Sequence, residues 1–312
     1  MARQRRRSTA ARSGPPRFPI AALLALLAAV AVVVGIVIVL KHQIAGYFTG
    51  GVGRRHAAVA SAAPLPVASG VESTPPGVPL GPAASPEVTP VPTGPQVAVI
   101  IDDCGNSEER CKAFLQLPIP ITLSILPMTP HGKRTEAEAL DAGKSVMLHL
   151  PMEPDSAQAN PGPGAITTEM NDDAVRAQVE ADIDSVAGVP GANNHMGSKA
   201  TSDPRVMRDV LDVLHERHMF FIDSVTSGQT VGESLARDLG VPTAERDVFL
   251  DNKKDVNYIL GQLKEVVVVA KRRGTAIAIG HPNPTTVQAL AQAIPQMQAA
   301  GITFVNASSL VR

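Results

Sequence analysis

Apolar residues recur along this chain in two registers. From Gln96 onward, short aliphatic and β-branched runs read as strands: Val97 to Ile101, Ile121 to Leu126, Val146 to Leu150, Met219 to Asp223, Ala276 to Ile279 and Thr303 to Val305. Weaker ones fall before Asn193 and near Val248. Between them the apolar spacing turns helical, as in Asp173 to Ala187 behind an Asn171 cap and Pro204 to Arg217 behind Asp203. Strand then helix, repeated about seven times, predicts parallel strands with helical crossovers. Residues 96–312 therefore form one α/β domain, either an incomplete barrel or an open doubly wound sheet. No short-period repeat points to a solenoid.

The residues before Gln96 follow another pattern. Six Arg and no acid lie in residues 1–17, followed by Ile20 to Leu40, an uncharged apolar run of 21 residues. As a helix it would rise about 31 Å, the thickness of a bilayer's hydrocarbon core. The expected span is 18–41, with the Arg-rich segment cytoplasmic and the rest across the inner membrane, periplasmic or extracytoplasmic. A cleaved signal peptide would have a shorter apolar region, and the nearest A-x-A site, around Ala58 to Ala60, is too far downstream. An uncleaved anchor is the better reading. Residues 42–95 form a linker whose stretch from Pro64 to Pro95 contains ten Pro, and from Ala57 only Glu72 and Glu87 are charged. Such a segment cannot bury a core and acts as a disordered, semi-stiff spacer.

Charge narrows the partners. With 28 Lys and Arg against 29 Asp and Glu, a net −1, there is no basic surplus of the kind that grips nucleic acid. Two Cys exclude a disulfide-dense scaffold and a four-Cys zinc module, so a metal would be held by His and carboxylates. Cys104 and Cys111 could form a disulfide, and metal ligation by Cys104 is the lesser alternative.

In parallel α/β domains the active site gathers at the carboxyl ends of strands. Polar and metal-capable residues sit at five such ends: Asp102 and Asp103; His149, leading to Glu153; Asn194 and His195; Asp223; and His281. Each alone has a plain structural use, a turn, a cap or a core histidine. Together they favour one end of successive strands, which independent accidents would not. His42, His56, His131, His215 and His218 fall outside the pattern. Asn160 to Gly164, with two Pro and two Gly, is a surface loop that either borders a substrate groove or simply connects.

The ordered stretches Ile100-Ile101-Asp102-Asp103, His149-Leu150-Pro151-Met152-Glu153-Pro154, Asn193-Asn194-His195-Met196-Gly197-Ser198, Phe221-Ile222-Asp223-Ser224, Arg246 to Asp251 and Ile279-Gly280-His281-Pro282 resemble the divergent polysaccharide deacetylases. These are distant relatives of NodB-like carbohydrate esterases that remove N-acetyl groups from chitin-like and peptidoglycan sugars. The resemblance covers Val97 to Val305 and implies a distorted, incomplete (β/α)7 barrel. It implies Asp102 as general base, Asp103 as a metal ligand and His281 as general acid. The family's His-x-x-x-His begins at His149 but has Glu153 in place of the second His, so His195 is the implied third ligand. An Arg-Pro-Pro-Tyr-Gly-like segment is absent. Glu153, Asn194 and Asp223 are expected beside the substrate or behind the ligands.

One carboxylate and two neutral imidazoles suit Zn²⁺, or another divalent metal, with a position open to water. Adjacent Asp102 and Asp103 would point oppositely in a regular strand, so both can serve only if the chain bends, as Gly105 permits. The expected function is metal-dependent hydrolysis of the amide of an N-acetylated envelope polysaccharide. The alternative is a non-catalytic glycan-binding or envelope-assembly protein on the same scaffold.

Overall fold

The computed structural model describes residues 94–186 and 188–312. The basic segment, the apolar span and the linker up to residue 93 lie outside the described residues. Among the described residues, no helix is long and apolar enough to cross a membrane.

The order is β1 (Gln96–Cys104), α1 (Glu108–Leu115), β2 (Thr122–Ile125), α2 (Gly132–Asp141), β3 (Ser145–Met152), α3 (Asp172–Ser185), β4 (Gly191–Met196), α4 (Pro204–Glu216), β5 (Phe220–Asp223), α5 (Gly232–Asp238), β6 (Thr243–Glu245), β7 (Val248–Phe249), α6 (Val256–Arg273), β8 (Thr275–Gly280), α7 (Pro284–Ala299) and β9 (Thr303–Val305). Helix starts follow their caps. Asn171 Oδ1 accepts from the amide of Ala174, and Asp203 Oδ1 from those of Arg205 and Val206, with Pro204 in the first turn where its missing N–H costs nothing. Helix α3 ends at Ser185, short of the predicted Ala187.

Among the described residues nine strands form one sheet in the order β6-β5-β4-β3-β2-β1-β8-β7, with β9 also on β1. All named pairings are parallel. Along one edge of β1, β9 pairs with Gln96 to Ala98 and β2 takes over from Ile100. The sheet is open between β6 and β7, where the chain itself crosses: the Arg246 amide bonds Asp223 O at 2.9 Å and the Asp247 amide bonds Ile277 O at 2.9 Å. The three-residue β6 is the strand that patterning missed, too short for an alternation to register.

Alternation along the strands separates two cores. One set of side chains, including Val97, Val99, Ile101, Leu123, Leu148 and Leu150, packs outward beneath the helices. The other, Ala98, Ile100, Met147, Phe220, Ile222, Ile277 and Ile279, packs against itself and is floored by Ala307 and Leu310. A sheet face with its own strand-lined core belongs to a curled half-barrel, which decides between the two architectures that patterning left open. The inward positions continue upward from these apolar side chains into polar ones, and that is where the chemistry lies.

Candidate metal centre and active-site mouth

At the carboxyl end of β1 the register with β2 shifts between Ile101 and Cys104. Asp103 adopts a left-handed backbone, φ 56°, followed by Gly105 at φ 105°. The bend needed to present two successive carboxylates is thus made mainly by Asp103 itself, in a conformation Asp tolerates better than most residues. Asp102 stays on the inward face, 3% exposed, while Asp103 turns to the mouth.

Asp103 meets two imidazoles there. Its Oδ1 lies 3.0 Å from His195 Nδ1 and 3.3 Å from His149 Nε2, and the two ring nitrogens are 3.2 Å apart. The donor atoms of all three residues fall within 4.8 Å of one another. Asp103 Oδ1 is buried and makes no hydrogen bond of acceptable geometry. A buried, orphaned carboxylate oxygen facing two imidazole nitrogens is the donor set a borderline divalent cation takes, so the residues present fit such an ion. Burial works against the Asp103 charge, yet His149 and His195 outweigh it and hold its carboxyl well below the ordinary range.

Behind the ligands stands Asn193, fully buried. Its Oδ1 accepts from Ser124 Oγ at 2.5 Å and from His149 Nδ1 at 2.8 Å; its Nδ2 donates to Asp102 Oδ1 at 2.9 Å and to Ser224 Oγ at 3.1 Å. An amide oxygen can only accept, so His149 carries its proton on Nδ1 and turns the Nε2 lone pair to the cluster. The same amide fixes Asp102, whose Oδ2 is 3.6 Å from His149 Nε2. Burial raises the Asp102 carboxyl above its ordinary range, opposed by His149, His281 and the Asn193 bond.

Across the mouth, His281 Nδ1 lies 2.9 Å from Asp251 Oδ1, and its amide donates to Asp251 Oδ2 at 2.8 Å. Thr286 Oγ1 at 2.7 Å and Asn283 Nδ2 at 3.2 Å complete the shell of that buried carboxylate. His281 Nε2 is left facing Asp103 Oδ2 at 3.8 Å. Burial opposes charge on this ring, but Asp251, Asp102 and Asp103 prevail and its pKa rises to about 9. A cavity of about 630 Å³ opens above, with Asp103, His195, Asp251 and His281 in its wall. The Asn160 to Pro163 segment also lines it, which favours the groove over the simple connection.

A profile of the divergent polysaccharide deacetylases matches residues 99–311. The chain belongs to that family. It is 36% identical over 223 residues to the uncharacterized protein YibQ of Escherichia coli K12, covering 72% of this chain and 69% of YibQ. An uncharacterized Haemophilus influenzae protein is 35% identical over 195 residues, covering 62% of this chain and 69% of its own. The crystal structure of the uncharacterized protein ATU2773 from Agrobacterium tumefaciens C58 shares the fold, with a TM-score of 0.66 at 23% identity over 70% of this chain and 89% of that one.

In this member of the family, Asp102, Asp103, His149, His195 and His281 come together, and three other expected site residues do not join them. Glu153 turns to Lys199 Nζ at 2.7 Å and to the Thr168 amide and hydroxyl at 2.7 Å each, and orients no imidazole. Asn194 lies on the opposite face of β4 from Asn193, accepting from the Ser224 amide at 2.8 Å and donating to Met196 O at 2.8 Å. Asp223 points outward, where it holds a turn through the Val225 amide at 2.8 Å and Thr230 Oγ1 at 2.7 Å. None of the three lines the cavity: strand alternation turns Asn194 and Asp223 to the outward face, and the turn after β3 carries Glu153 to Lys199 and Thr168. Cys104 and Cys111 are free, buried thiols 2.9 Å apart in the outward core, with Cys104 outside the Asp103, His149 and His195 cluster.

Four polar residues that shape the site carried no assigned role in the sequence reading: Asn193, Ser124, Ser224 and Asp251. The signal available for Asn193 was its parity with His195, two residues along the same strand. For Asp251 it was a lone carboxylate after the apolar Val248-Phe249-Leu250 run.

Proposed function

We propose that this domain is a metal-dependent hydrolase that removes the acetyl group from an N-acetylated envelope polysaccharide. The observation that carries the reading is the pairing of a buried carboxylate, Asp102, and an Asp251-held imidazole, His281, on either side of the Asp103, His149 and His195 cluster. Asp103, His149 and His195 are the residues that would hold the ion, Zn²⁺ being the best match to this donor set. Such an ion, when bound, supplies Lewis acidity that acidifies water and polarises an acyl oxygen.

The chain's own groups do the rest. Asp102, fixed by Asn193, takes the proton of the attacking water. Asp251 holds His281 at Nδ1, so its Nε2–H points to the mouth and protonates the departing amine as the carbon–nitrogen bond breaks. Acetate and the free amino sugar are the products, with the water's atoms divided between them. The half-barrel keeps Asp102 out of bulk water, while His281 stands in the cavity wall where the leaving amine would sit.

We further propose that the residues preceding the domain tether it to the inner membrane, on the periplasmic or extracytoplasmic side. The uncharged run after the Arg-rich start supports this.

The test is acetate release from N-acetylated glycans by the full chain together with its metal content. Asp102→Asn and His281→Ala should keep bound metal and lose about 10²- to 10⁴-fold in rate, whereas His149→Ala and His195→Ala should lose the metal in equilibrium dialysis. If the wild type carries metal and binds glycan yet releases no acetate from any of them, the non-catalytic reading replaces this one.

A further inference from the structure

The half-barrel carries its proposed catalytic groups in the cavity wall, and two basic side chains line the same cavity. Arg110 lies in α1 and Lys254 just before α6; both are exposed, and both line the 630 Å³ cavity. Among the described residues neither has a carboxylate within ion-pair distance, although most Arg on the helices do: Arg134 pairs with Glu138, Arg176 with Glu216, Arg205 with Asp172 and Arg237 with Glu233. The carboxylates of the cavity wall are already committed. Asp251 is saturated by His281, Asn283 and Thr286, and Asp103 faces its imidazoles. The two cations are therefore surplus positive charge.

The backbone adds to it. Ser107 is the N-cap of α1, yet its side chain caps nothing, and it lines the cavity next to Asn106. The first amides of an eight-residue helix thus present their partial positive charge without the partner an N-cap usually supplies. The acids of that helix do not cancel the effect at the cavity, since Glu108 is drawn to Lys112 and Arg134, and neither Glu108 nor Glu109 lines the mouth.

We infer that the rim formed by Ser107, Arg110 and Lys254 is a subsite for an anionic substituent on the glycan, a carboxylate or a phosphate, next to the sugar that enters the catalytic centre. This deepens the deacetylase reading and rests on it for the position of the sugar; the charge recognition itself does not need turnover. A neutral polymer would leave both cations without a counter-charge, whereas an anionic one supplies it.

The experiment compares the full chain's affinity, by calorimetry at low salt, for N-acetylglucosamine oligomers that are neutral, carboxylate-bearing or phosphate-bearing. The charged oligomers should bind about three- to tenfold more tightly, and the gap should close as salt rises. It should also close in the Arg110→Gln, Lys254→Gln double variant, whose two exposed substitutions should leave the melting temperature unchanged. A preference for one charged series identifies the anion as carboxylate or phosphate. Equal affinity for neutral and charged oligomers, or a preference that survives the double variant, overturns the inference. Acetate release separates the two readings: release from neutral and charged oligomers with equal kcat/KM leaves the deacetylase standing and the subsite refuted. Charge-dependent binding that the double variant abolishes, with no acetate from any oligomer, does the reverse.

Discussion

Asn193 has the largest reach of any single side chain here, because one amide sets the tautomer of His149 and anchors Asp102. Asn193→Ala should remove both, stranding a buried carboxylate and two hydroxyls. The expected loss is about 2 to 4 kcal/mol of stability and about 10- to 100-fold of metal affinity, read by thermal unfolding and equilibrium dialysis; unchanged metal affinity would refute its orienting role. A second residue gives a pH signature away from the centre. Asp182, buried in α3 with only Gln178 donating to it, has its pKa raised from 3.8 to about 7 by burial. Between about pH 4 and 7 the folded state holds a proton that the unfolded chain has lost, so this group's contribution to stability is fullest below about pH 4 and is lost as pH rises through about 7. Asp182→Asn should flatten that decline and gain on the order of 2 to 4 kcal/mol at pH 8, measured by urea unfolding at pH 5 and 8. Site residues were legible from sequence where polar groups ended apolar runs, as at Asp102 and His281. They were not where polar side chains interrupt an inward face, because β4 reads Gly-Ala-Asn-Asn-His-Met and offers no apolar alternation to orient Asn193 against Asn194.

Among the elements, β4 and β5 are parallel neighbours in close side-chain contact at Gly191. Gly191 pairs with Phe220, and a Cβ built at Gly191 would come within 2.4 Å of that ring, which packs in the inward core. Gly191→Ala should force Phe220 to move and cost about 1 to 3 kcal/mol, seen as a lower urea midpoint; Gly261→Ala, with open space around its Cβ, should not. Strands and capped helices were readable because parallel strands buried on both faces are continuous apolar runs and because Asn171 and Asp203 sit where a cap must. Two features were beyond reach. The curl of the sheet depends on which inward side chains meet across the barrel, and the three residues of β6 are too few to carry an alternation.

For the whole molecule, a reporter fused after Arg312 should be active only in an extracytoplasmic compartment, and activity of a strictly cytoplasmic reporter would refute the proposed orientation. Residues 96–312 hold both hydrophobic cores, so that fragment should melt in one cooperative transition. The pairing of β1 also bears on how the chain reaches this state. Val97 pairs within the same sheet with Ala276 of β8 and Phe304 of β9, and Thr243 exchanges two backbone bonds with Arg312. Strand β1 therefore waits for β8 and β9, more than 170 residues further along, before its pairing on both edges is complete. Such non-local closure makes for slow folding with a long exposed interval, during which the half-made sheet offers open edges to proteases and holding chaperones.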